Sequence, residues 1–158
     1  MQLTNSTDMK PLIVLTVSFA IAFCSIKILK KENDIALSAR IAMSFMLVFT
    51  AIGHFAFTKG MALMIPTGIP FKESIIYLTA IFEILLAIGL HIPKLKITSA
   101  WILILFLCLM LPANIHAAIQ KIDYQKATYN GPGMSYLWFR IPLQALFIIW
   151  TYLSSIRN

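Results

Sequence analysis

The sequence predicts an all-α polytopic membrane protein, and three observations carry that reading. Hydrophobic residues make up 59% of the chain and charged residues only 12%, against about 25% charged in soluble domains. The apolar residues are gathered into long runs, and about 20 apolar residues suffice to cross a bilayer as a helix. The basic residues lie singly or in pairs between those runs, where positive charge anchors and orients membrane helices. The net charge of +7 is therefore no nucleic-acid footprint, since it forms no basic patch or stripe. The length allows one domain and no second soluble module.

Met1 to Met9 is polar and contains Asn5-Ser6-Thr7, formally a glycosylation acceptor that reads as chance in so short a tail. Pro11 to Leu29 is the first apolar run and spans about 28 Å at 1.5 Å per residue. Ala20-Ile21-Ala22 resembles a signal-peptide cleavage site, but the apolar run continues past it to Leu29, so a retained helix is expected. Lys30 to Asp34 is a polar turn, with Asp34 placed to cap the next helix. The second span is expected from Ile35 to Phe57, with Gly60 as its stop and Arg40 snorkelling to the surface. Thr58 to Glu73 reads as an interfacial segment or lid, broken by Pro66, Gly68 and Pro70. Ser74 to Ile92 is the third span, Pro93-Lys94-Leu95-Lys96 a tight connection, and Ile97 to Ile119 the fourth span. A polar loop ending in Gly131-Pro132-Gly133 leads to the fifth span, Ser135 to Leu153.

Five spans put the two ends of the chain on opposite sides. One side holds Lys10, Lys59, Lys72, Lys121 and Lys126. The other holds Lys27, Lys30, Lys31, Arg40, Lys94, Lys96 and Arg157. The bias favours an N-terminus outside and a C-terminus inside. Cys24 and Cys108 sit in separate apolar runs and read as buried free cysteines acting as small hydrophobes. No Cys/His cluster has metal-ligand spacing, so no metal site is expected.

The polar intramembrane residues set the functional question. His54 lies near the outer end of the second span, and Glu83 lies about 13 Å into the third at 1.5 Å per residue. Asn114 and His116 fall in the outer half of the fourth. Arg140 and Gln144 are four apart on one face of the fifth. All these groups fall between the midplane and one face. Thr79 shares a face with Glu83, and Thr50 with His54. Pro112 and Pro142 free the carbonyls of Cys108 and Trp138 and are expected to kink their helices around a widened pocket. A charged residue within a membrane normally faces the bundle interior and has a partner. Glu83 is thus either paired, with Arg140 or His54, or kept neutral as a proton-handling or ligand-binding group. Asn114 fits equally a helix-linking role. His116 lies on nearly the opposite face and carries less weight. Tyr136 and Trp138 read as aromatic-belt residues. The candidate ligand-binding set is His54, Glu83, Asn114, Arg140 and Gln144, with no catalytic residue assignable.

Several stretches together resemble the DoxX family of small bacterial membrane proteins. They are Arg40-Ile41-Ala42-Met43 through Gly53-His54-Phe55, Met64-Ile65-Pro66 with Ile69-Pro70-Phe71, and Phe82-Glu83-Ile84-Leu85. Leu111-Pro112-Ala113-Asn114-Ile115 and Trp138-Phe139-Arg140-Ile141-Pro142-Leu143-Gln144 with Trp150 complete the set. The resemblance implies a four-helix transmembrane bundle over residues 35–158, with residues 1–34 an extra N-terminal transmembrane helix and polar turn. It implies a bacterial inner-membrane location and an accessory role in a membrane oxidoreductase. The partners would be the lipid bilayer, another membrane subunit and a quinone or other lipophilic small molecule. The alternative is a non-enzymatic assembly, lipid- or solute-binding protein whose polar cluster is structural.

Overall fold

The computed structural model describes residues 9–31 and 33–158, so the Asn5-Ser6-Thr7 reading lies outside the described residues. Six α-helices run in order: α1 Lys10–Lys30, α2 Ile35–Ala56, α3 Thr58–Leu63, α4 Lys72–Gly89, α5 Lys96–Ile119 and α6 Met134–Thr151. A π-helical turn, Tyr152–Ile156, continues α6. Among the described residues there is no strand, only an isolated bridge between Asp123 and Thr128 in the α5–α6 loop.

Local chemistry explains the boundaries. Pro11 stands in the first turn of α1, where its missing N–H costs nothing. Lys31, in the left-handed region at φ 56°, ends that helix. The Asp34 carboxylate then accepts from the Leu37 N–H at 2.8 Å, the expected N-cap of α2. Gly133, at φ 65°, sets the chain into α6. Both α5 and α6 run unbroken through their interior prolines, Pro112 and Pro142.

Four elements are long and apolar enough to cross a membrane: Lys10–Lys30, Ile35–Ala56, Lys96–Ile119, and Met134–Ile156. Helix α4 is not among them, although the sequence predicts a span there. Its 18 residues include three charges, Lys72, Glu73 and Glu83. The expected five spans thus become four on length and composition.

The helices α2, α4, α5 and α6 form a ring in which each packs against the next, and α6 with its π-helical turn closes back on α2. Helix α1 lies outside the ring against α2. It is firmly seated, because Leu15 is fully buried and joins Ala42, Met43, Met46, Leu47, Leu103 and Phe147 in one core. Large apolar side chains such as Leu29, Leu78 and Leu109 point outward, as a lipid-facing surface requires.

Several local expectations are corrected. Gly60 does not stop α2. It sits buried inside α3, where an added Cβ would lie 1.7 Å from the Tyr124 carbonyl oxygen. The glycine is there for close approach of the α5–α6 loop. Arg40 does not snorkel outward; its guanidinium donates to the Ser154 carbonyl at 3.0 Å and ties α2 to the π-helical turn. Trp150 reinforces that seam by donating to the Ala39 carbonyl at 3.0 Å. Cys24 and Cys108 are free, but both are exposed on the outer surface rather than buried. At the same end, Ser44 donates to the Ala87 carbonyl at 2.9 Å and pairs with His91 Nε2 at 2.9 Å. Because the Ser44 proton is committed to the carbonyl, the imidazole donates. Partial burial, then the nearby Arg40 charge, hold His91 below the ordinary imidazole range and favour its neutral form.

Gly60→Ala is expected to destabilise the protein by about 1–3 kcal/mol, as overpacking against backbone does. Gly68→Ala, with nothing within 4 Å of the added carbon, is expected to be near neutral. Thermal unfolding of the two variants in one detergent checks the difference.

Candidate functional site

The polar residues of the bundle resolve into three links, and helical spacing explains each. Thr50 and His54 are one turn apart on α2 and face α4. The Thr50 hydroxyl reaches Glu83 Oε2 at 3.2 Å and the Leu47 carbonyl at 2.9 Å. His54 Nδ1 lies 2.8 Å from the Thr50 carbonyl and 3.3 Å from Glu83 Oε2. A carbonyl only accepts, so Nδ1 carries the hydrogen and Nε2 is the open position of the neutral ring. His54 is 15% and Glu83 8% exposed at the side chain, so this is a buried acid–base pair. Of the two partners expected for Glu83, the direct contact is His54.

The other two links join α5 to α6. The Tyr136 hydroxyl donates to Asn114 Oδ1 at 3.1 Å in a buried contact. Farther along, Gln144 Nε2 donates to the Leu107 carbonyl. That bond fixes the amide orientation, because the carbonyl needs a donor. It leaves Gln144 Oε1 as the buried side-chain polar atom without a hydrogen bond among the described residues.

Arg140 stands between these links. Tyr136, Arg140 and Gln144 follow one another at intervals of four on one face of α6. The guanidinium is half-buried and makes no hydrogen bond or direct ion pair among the described residues. It is nonetheless near enough to act electrostatically on both His54 and Glu83. The depth of Glu83 agrees: its neighbour Phe82 packs against Phe106 of α5 with ring centroids 5.5 Å apart. Glu83 therefore lies close to the Leu107 level, where Gln144 is tied. Arg140 is about one turn away along α6.

The predicted set is thus brought together unevenly. His54 and Glu83 touch, Arg140 faces them without contact, and Gln144 borders the same level with an unfilled acceptor. Asn114 is occupied by Tyr136. His116 belongs elsewhere, with Nδ1 3.0 Å from the Met64 carbonyl, where it pins the segment after α3. Thr50 and Tyr136 are participants that the sequence reading did not place in the set. The i, i+4 pairing of Thr50 with His54 was the available signal. Tyr136 was read as a belt residue, but it is buried, while Trp138, 84% exposed, fits that reading. The Gln144 side-chain bond falls on Leu107, one residue before Cys108. No group of three or more His, Cys, Asp or Glu among the described residues is arranged to hold a metal ion.

Fold and site define a helical protein with four helices long and apolar enough to cross a membrane and a buried acid–base cluster between helices. Residues 43–155 match the family described as a domain of unknown function, DUF8561, and the chain belongs to that family. No curated protein and no solved structure matches it. The family match overturns the DoxX resemblance. The stretches that suggested it are short apolar runs carrying a proline, a glycine, an aromatic or a single polar residue, which recur in membrane bundles for general physical reasons.

A double-mutant cycle of His54→Gln with Glu83→Gln is expected to show a coupling of about 0.5–3 kcal/mol, as groups in direct contact do. The cycle of His54→Gln with Asn114→Ala is expected to be additive. Detergent-unfolding free energies of the single and double variants check both.

Proposed function

We propose that the protein binds a lipophilic small molecule with a carbonyl or hydroxyl head group between α2, α4 and α6. The observation that carries this reading is a pair of unfilled groups on one face of α6. Arg140 offers guanidinium donors with no partner in contact, and Gln144 Oε1, one turn on, is a buried acceptor with none. An unsatisfied buried polar atom costs about 1–3 kcal/mol. A ligand head that both accepts and donates would remove that cost. His54 Nε2 and Glu83 stand opposite and can hold or pass a proton at the same head. Asn114, being bonded to Tyr136, serves helix packing in this reading.

The reading includes α4 as a fifth membrane crossing. Lys72 and Glu73 sit in its first turn, at the surface end, and Lys72 donates to the Ile65 carbonyl at 2.7 Å. Glu83 is turned inward, so the outward face of α4, with Leu78, Ile81 and Leu85, is apolar. With five crossings, the bias of the basic residues described above supports an N-terminus outside and a C-terminus inside. A quinone is one molecule of the proposed class. The bacterial location and the oxidoreductase partner were implied by the DoxX resemblance alone, and neither is needed here.

Thermal shift with decylubiquinone tests the binding, together with native mass spectrometry of the protein in mild detergent. A retained lipophilic molecule or a raised unfolding temperature is expected, with binding weakened at least tenfold in Arg140→Ala. Gln144→Leu is expected to lose binding with a stability change within about 1 kcal/mol, because the loss of the Leu107 bond is offset by removal of the orphaned oxygen. No retained molecule and no shift would overturn the reading, as would full binding in Arg140→Ala.

A further inference from the structure

A second candidate site lies at the other end of the bundle. A cleft of about 750 Å³ opens between α1, the start of α2 and the end of α6. That volume lies within the range of about 300–1,000 Å³ typical of small-molecule sites. Its walls are mainly apolar, with Phe19, Ile35, Ala39, Trp150 and Leu153 among them, and its polar side is made by Asn33, Asp34, Ser154 and Asn158. The walls are fixed rather than incidental. Phe19 meets Trp150 edge-on with ring centroids 5.3 Å apart. Trp150 is tied to the Ala39 carbonyl, and Arg40 to the Ser154 carbonyl.

The charge at this end is strongly one-sided. Lys27 and Lys30 fill the last turn of α1, Lys31 follows, and Arg157 follows the π-helical turn. Lys96, at the start of α5, reaches the Asn158 carbonyl at 2.6 Å, which brings the α4–α5 connection with Lys94 to the same end. Among the described residues Asp34 stands against these and Arg40, in the cleft lining itself, and its carboxylate is engaged in capping α2. Lys31 lies two residues before Asn33 of the lining and Arg157 adjoins Asn158, and an apolar cleft with cations beside it along the chain is complementary to an amphiphile with a hydrocarbon tail and an anionic head. In a membrane that molecule is a phospholipid.

We infer that this cleft seats one acyl chain of an anionic phospholipid, with its phosphate held at the rim by Lys30, Lys31 and Arg157. The lipid wedges α1 against the ring, over the seam made by Trp150 and Arg40. This site shares no residue with the Arg140 centre, so either can fail without the other.

The test uses the full chain in nanodiscs of phosphatidylcholine alone or with one fifth phosphatidylglycerol. Lipid adducts are then counted by native mass spectrometry after release into mild detergent. Phosphatidylglycerol is expected to be retained at least fivefold over its share of the bilayer and to raise the unfolding temperature. The variant Lys30→Gln, Lys31→Gln, Arg157→Gln is expected to lose that preference while keeping its fold in phosphatidylcholine. Ala36→Phe, which adds a ring to the cleft lining, is expected to reduce retention with the charges intact. Equal retention of the two lipids, or an unchanged preference in the triple variant, would overturn the inference. So would a thermal shift of the same size from inorganic phosphate alone, since the acyl chain would then play no part. Dimers that exclude lipid from the cleft would also overturn it.

Discussion

The contact of Glu83 with His54 and Thr50 is the constraint on which the bundle turns. A carboxylate at the centre of a bilayer costs about 2.5–3.5 kcal/mol even on forgiving scales. Helix α4, if it crosses as proposed, therefore has one acceptable rotation, the one observed, with Glu83 inward and Leu78, Ile81 and Leu85 outward. Once α4 is set that way against α2, its neighbour Phe82 meets Phe106, and α5 is placed. Tyr136–Asn114 and Gln144–Leu107 then lock α6 to α5 at two levels. Arg140 is carried between those levels, where it faces the acid–base pair without touching it.

The two ends of the bundle are built differently. At the Glu83 end the polar groups lie inside and two of them are unfilled, which suits a small bound head group. At the other end the polar bonds are backbone seams, and the charge sits at the rim. Arg40 shows the contrast with Arg140. Both are cations in apolar helices, but Arg40 is satisfied by the Ser154 carbonyl. The family to which the chain belongs has no described function, so the chemistry must be read from such differences.

Much of the fold was legible because apolar runs and their terminators act locally. The Asp34 cap and the limits of α1, α2, α5 and α6 follow from a few neighbouring residues each. Helix α3 was not legible, since six residues of mixed character show no periodicity. Gly60 misled for a related reason: a glycine after a helix usually signals a stop, and its real task is set by Tyr124, far along the chain. Arg40 and Ser154 are 114 residues apart, so nothing local revealed the pairing. Tyr136 looked like a belt residue until its partner Asn114 was placed. That His54 and Glu83 come to one level of the bundle was legible, because relative position along a helix follows from helical rise. The pairing within the polar cluster was not, because rotation of each helix is decided by packing. The family assignment failed where short, physically generic motifs were read as an ordered signature.

The central proposal is that α4 crosses the membrane with Glu83 turned toward α2. Single cysteines test it most directly, placed by Ser74→Cys and Lys94→Cys in a background lacking Cys24 and Cys108. A membrane-impermeant maleimide is then applied from each side. The account predicts that the cysteine at position 74 labels only from outside and the one at position 94 only from inside. Labelling of both from the same side would contradict it.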